Sequence, residues 1–142
     1  MLQIDQSDLI MAFYDMGDGF ESYLDLKTGK IISYCLDYEE EEEINIKYVK
    51  NHPDEYCLIE QISFYDKLDW AKKFITHKIT EQDIQNKLGE AFNQRKWFRR
   101  FRYLLEDFPN IRDRRFDYEH QKILEYVKEY LESNSIKSKL IW

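Results

Sequence analysis

The sequence predicts one α+β domain over residues 1–142. It comprises a short N-terminal helix, a small antiparallel sheet built on an N-terminal β-hairpin, and a mostly helical C-terminal layer packed with that sheet. Three observations predict this. Residues 20–36 hold two aromatic and aliphatic runs joined by Lys27-Thr28-Gly29-Lys30, the pattern of a hairpin. From Ser63 onward, apolar residues recur at helical spacing with little interruption. Only four glycines and two prolines occur in 142 residues, too few for the turns of an all-β sandwich or barrel. The chain is 35% charged, but its 11 tyrosines, nine phenylalanines and three tryptophans supply apolar bodies that disordered chains lack.

The elements follow in order. Asp5 or Ser7 can cap a first helix carrying Leu9, Ile10, Phe13 and Tyr14, which Gly17 and Gly19 stop. In the hairpin, Gly29 suits a position of positive φ. Phe20, Leu24 and Leu26 alternate with Glu21, Tyr23 and Asp25, predicting one buried and one wet face. The acidic run 37–43 leads into Ile44, Ile46, Tyr48 and Val49, a short helix ended by Asn51-His52-Pro53. Residues 56–59 supply a third strand, because a lone hairpin is marginal in water.

Ser63 with Asp66, and Thr80 with Asp83, have the spacing of capping boxes and open two amphipathic helices. Phe64, Leu68, Ala71 and Ile75 line the first, and Ile84, Leu88 and Ala91 the second, which Gly89 weakens or ends. Residues 97–108 show the cleanest periodicity. Trp97, Phe98, Phe101, Leu104, Leu105 and Phe108 fall within an arc of about 120°, opposite Arg95, Lys96, Arg99, Arg100, Arg102 and Tyr103. Pro109 terminates this helix. A last one, 113–132, turns Phe116, Ile123, Val127, Tyr130 and Leu131 inward, leaving Ile136, Leu140 and Trp142 to dock or fray.

Several of these residues carry a resemblance. Tyr23-Leu24-Asp25 with its Lys-Thr-Gly turn, Trp70 to Ile75 in a capped helix, and above all Trp97-Phe98-Arg99-Arg100-Phe101-Arg102 resemble the bacterial uncharacterised protein family 0158. Phe116, about fifteen residues later, and the closing Leu131-Glu132-Ser133-Asn134 extend the likeness over nearly the whole chain. Asn93-Gln94-Arg95-Lys96 stands where the family usually has a Gly-rich stretch, and Arg115 where it usually has a tryptophan. The resemblance implies a compact bacterial cytosolic protein. It implies no activity, substrate or cofactor.

Charge is unevenly spread. Residues 1–90 carry 9 basic and 20 acidic side chains, whereas 91–142 carry 12 basic and 8 acidic, and the whole chain has a net charge of −7. Such asymmetry marks either an anionic partner or two halves that neutralise one another. Cys35 and Cys57 stand apart without a CxxC pair and read as reduced buried thiols. With no leader-like N-terminus and no long apolar run, the expected location is cytoplasmic, away from membranes.

Searching for chemistry yields no catalytic, cofactor-binding or metal residue. Gly17-Asp18-Gly19 lacks the context of a dinucleotide or P-loop motif, and no GxSxG elbow occurs. His52, His77 and His120 are dispersed and pair with neither cysteine in a recognised pattern. The run Glu39 to Glu43 reads as a solvated helix start rather than a cation site. Whether the chain is an enzyme is left open, with a non-enzyme favoured.

The sharpest candidate is the basic stripe Arg95, Lys96, Arg99, Arg100 and Arg102, with Arg112, Arg114 and Arg115 nearby. It is an anion or nucleic-acid contact on one reading, since phosphates attract such a stripe. On the other it is a solvated or internally paired face, with Arg102 and Glu106 at i,i+4 spacing. Aromatics left over at the surface, first Tyr118, Tyr126 and Trp142, would mark a protein partner or homo-oligomer. The expected function is that of a cytosolic non-enzymatic interaction protein. A nucleic-acid-binding accessory protein using the basic face of helix 95–108 is the alternative.

Overall fold

The computed structural model describes residues 1–14, 17, 19–35 and 40–141, with the backbone alone at 40–44. In chain order the elements are β1 (Leu2–Asp5), α1 (Gln6–Tyr14), β2 (Phe20–Asp25), β3 (Ile31–Cys35), α2 (Glu40–Lys50), β4 (Tyr56–Ile59), α3 (Phe64–Lys78), α4 (Gln82–Gly89), a 3-10 turn (Glu90–Asn93), α5 (Trp97–Leu105), α6 (Pro109–Ser133) and β5 (Ser138–Ile141). This is an α+β fold, mostly helical among the described residues, with a three-stranded antiparallel sheet and a separate parallel strand pair. The chain divides into two compact units: Met1–Ile62 with Ile123–Trp142, and Ser63–Lys122.

In the first unit, the Asp5 carboxylate accepts from the Asp8 backbone N–H at 2.9 Å and caps α1, so Asp5 rather than Ser7 takes the cap position. Strand β2 lies between β3 and β4, antiparallel to both. Its predicted alternation of a buried and a wet face does not hold. Ser22, Tyr23 and Leu24 are all buried, whereas Phe20 is 39% exposed. A central strand covered on both faces has no wet side, and Phe20 sits at its open end. The hydroxyl of Ser22 is satisfied across the sheet by Ser33 at 2.8 Å.

The hairpin turn is built as its sequence predicts. The Asp25 carboxylate accepts from the backbone N–H of Lys27 at 2.8 Å, and Gly29 adopts φ +78°. A second constraint comes from elsewhere in the chain. A Cβ on Gly29 would lie 2.0 Å from the backbone oxygen of Gln3 in β1, so this position admits no side chain. Strands β1 and β5 are not expected from the sequence. These four-residue segments pair in parallel, Leu2 opposite Ser138 and Asp5 opposite Ile141, so residues near Leu140 form a strand instead of docking loosely. Leu36 and residues 37–39 of the acidic run, together with Trp142, lie outside the described residues.

The second unit is helical. Ser63 Oγ accepts from the Asp66 N–H at 3.1 Å and caps α3. Its core gathers Phe74, Ile75, Leu88, Phe101, Leu104 and Leu105, with Ile84, Phe92, Trp97, Phe108 and Tyr118 packed against them. Four expectations need correction. Thr80 does not cap α4, because the helix starts one residue later, with Glu81 at its N-cap and no side-chain bond there. Phe64 stands at the first helical position of α3 and is 55% exposed, while Phe74 takes the buried place the pattern gave it. Pro109 does more than end a helix. It opens α6, where its fixed φ suits the first turn and its missing N–H costs nothing. The earlier start brings Ile111 into the core, and Phe116 points outward, 57% exposed.

Candidate functional site

The predicted basic face lies on α5 and the turn before it. Arg95 and Lys96 precede the helix, Arg99, Arg100 and Arg102 lie on it, and all five are exposed. Phe101, Leu104 and Leu105 anchor the opposite face in the core, which fixes the direction in which the cations point. Phe101 is held by aromatic neighbours, with ring centroids 5.4 Å from Phe92 and 6.3 Å from Trp97.

The eight cations of 91–115 separate into two groups. The Arg114 guanidinium donates to the Lys78 carbonyl, Arg115 pairs with Glu119 and lies 5.7 Å over the Phe101 ring, and Arg112 sits 3.9 Å from Asp113. Arg114 and Arg115 serve the fold, whereas Arg112 makes a long, exposed contact with its neighbour. Arg95, Lys96, Arg99, Arg100 and Arg102 make no ion pair among the described residues. The Arg102–Glu106 pair allowed by spacing is not among the described ion pairs, Glu106 falling at the C-cap of α5. Arg100 stacks over Tyr103 at 5.3 Å, a contact that leaves its N–H fork available.

Beside this face lies something the sequence reading placed indoors. Phe98 is 38% exposed and meets the exposed Phe64 ring at a centroid distance of 6.1 Å, with the Lys67 ammonium 5.3 Å over Phe64. Phe98 and Arg102 are one helical turn apart, so an aromatic surface adjoins the cations. Tyr118 and Tyr126, expected at the surface, are half-buried, Tyr118 packing on Phe74 at 5.5 Å. Among the described residues the exposed rings are instead Phe20, Tyr48, Phe64, Tyr65, Phe98, Tyr103 and Phe116. The signal that could have found Phe64 is its place directly after the Ser63 cap, at the helix end where the core stripe has not begun.

Among the described residues no three metal-ligating side chains come together, and no helix is long and apolar enough to cross a membrane. The exposed face of α5 offers charge and guanidinium hydrogen-bond donors, with neighbouring rings to stack or pack on.

Comparison with known proteins finds relatives of one family. The chain is 25% identical over 127 residues to a UPF0158 protein of Pseudomonas aeruginosa, covering 89% of this chain and 81% of that one. It is 32% and 31% identical to UPF0158 proteins of Chlamydia pneumoniae and Chlamydia trachomatis, over 67% of this chain and only 31% and 30% of theirs. No solved structure matches it. The family model described as "Uncharacterised protein family (UPF0158)" matches residues 1–140, and the chain belongs to that bacterial family.

Proposed function

We propose that this protein is a non-enzymatic, cytoplasmic interaction protein that docks an anionic partner on the basic face of α5. One observation carries this reading: five cations on one exposed face, none of them ion-paired among the described residues. Cations that serve only the fold are expected to be engaged, as Arg114 and Arg115 are. A face of this kind gains association rate and affinity from an oppositely charged partner.

A nucleic-acid accessory role is a second reading, favoured by the neighbouring exposed rings Phe64 and Phe98, on which bases could stack beside phosphate-binding arginines. One experiment separates the two. Affinity capture from a bacterial lysate with wild type and Arg99→Glu/Arg100→Glu, with and without nuclease, is paired with fluorescence polarisation on labelled RNA and DNA at low and moderate salt. The interaction reading expects a protein retained by wild type, resistant to nuclease and lost with the variant. Nuclease-sensitive capture with salt-dependent polarisation would favour nucleic acid. Identical capture by wild type and variant would overturn both.

A further inference from the structure

The first unit holds a cleft of about 450 Å³, within the rough 300–1,000 Å³ range of small-molecule sites. One wall is the C-terminal end of α6, from which Tyr126, Glu129, Tyr130 and Ser133 project at helical spacing, and the other is β4 with Glu60 beyond it. Tyr126 and Tyr130 stand edge-to-face on the buried Phe13 ring, at 5.5 and 5.0 Å, which fixes their orientation. The Tyr130 hydroxyl donates to the Cys57 carbonyl at 3.4 Å, and burial pushes its phenol pKa well up, so this wall stays neutral.

Three features give the cleft one electrical sign. Its lining includes the exposed carboxylates of Glu60 and Glu129 and no lysine, arginine or histidine. Neither carboxylate is ion-paired among the described residues. The cleft also sits at the C-terminal end of a 25-residue helix whose last turn carries no basic residue, so the helix dipole adds negative potential there, eased at the Tyr130 carbonyl by the Asn134 side-chain amide, which donates to it at 2.8 Å. Aromatic rings and carboxylates lining one cleft are the chemistry that holds an organic cation, by ring quadrupole and charge together.

We propose that this cleft binds an alkylammonium group, with the hydrocarbon stem against Tyr126 and Tyr130 and the ammonium toward Glu60, Glu129 and the end of α6. Free diamines and the lysine side chain of a peptide share this chemistry. The test titrates the full chain with 1,5-diaminopentane, with a blocked pentapeptide carrying one central lysine, and with 1,5-pentanediol, following backbone amide shifts and heat of binding. Saturable binding of either amine is expected, with shifts grouped around β4 and the end of α6 and none from the diol. Whichever amine binds more tightly identifies the source. Affinity is expected to fall about tenfold or more in Glu60→Gln/Glu129→Gln. It should be retained in Asp8→Asn/Asp54→Asn, which removes the same charge elsewhere on the acidic surface. Failure of both amines to saturate, or equal binding by the Glu60→Gln/Glu129→Gln variant, would overturn the proposal.

Discussion

The first unit is built by pairing segments far apart in sequence, Leu2–Asp5 with Ser138–Ile141 and β2 with β4, whereas the second is a contiguous run of helices around one aromatic and aliphatic core. Their charges differ as much as their construction. The first carries 18 acidic and 7 basic side chains, net −11, and the second 10 acidic and 14 basic, net +4. A net charge of −7 is thus no description of either surface. The cleft with its carboxylates belongs to one unit and the arginine face to the other. The difference teaches where each unit is vulnerable: the first where backbone segments must meet, the second where side chains fill a helical core.

The largest test of that contrast truncates one core ring in each. Phe13 and Phe101 are fully buried and touch two aromatic rings apiece. Phe13→Ala and Phe101→Ala are each expected to cost about 3–5 kcal/mol by chemical denaturation. Amide exchange should rise first in the unit that carries the change. Equal loss of protection in both units from either substitution would dissolve the distinction.

A smaller test uses two glycines of opposite character. Gly29→Ala sets a side chain at φ +78° against the Gln3 carbonyl and is expected to cost about 2 kcal/mol or more. Gly89 ends α4 with φ −64° and open space around it, so Gly89→Ala is expected to stabilise by about 0.5–1 kcal/mol. Thermal melts in which Gly29→Ala is neutral or stabilising would show that the close approach of β1 to the hairpin does not constrain the first unit.

The smallest effect is an alkaline one, read at a tyrosine of the sheet. Tyr23 is buried and donates to Glu21 at 3.0 Å, and burial first, then that carboxylate, pushes its phenol from 10.0 up to about 12. The native state keeps this proton where the unfolded chain releases it. The contribution to stability is therefore whole below pH 10 and declines as pH rises from 10 toward 12. Denaturant midpoints across that window should fall less steeply in Tyr23→Phe. An unchanged slope would remove Tyr23 as its source.

Legibility in the sequence follows the same division. The helices of 63–122 could be read because their signals are local: Ser63 bonding Asp66, and Phe101, Leu104 and Leu105 returning to one face. The hairpin could be read because its turn needs a residue tolerant of positive φ, and Gly29 is there. Strands β1 and β5 could not, since each has four residues and its partner lies at the other end of the chain. The basic face was legible as a pattern, but the separation of its free arginines from those bound to Lys78, Glu119 and Asp113 was not. The alkylammonium cleft was invisible, because Phe13, Cys57, Glu60 and Glu129 are brought together by folding alone.

By itself the sequence determined the α+β class, the hairpin, the helical run and the arginines of α5, because periodicity, caps and turn chemistry act over a few residues. Tertiary structure decided that β2 is covered on both faces, that Phe64 and Phe98 are exposed, that Pro109 opens a helix, and that aromatic rings and carboxylates enclose a cleft. Those outcomes depend on which distant segments meet, and no local preference encodes such a meeting.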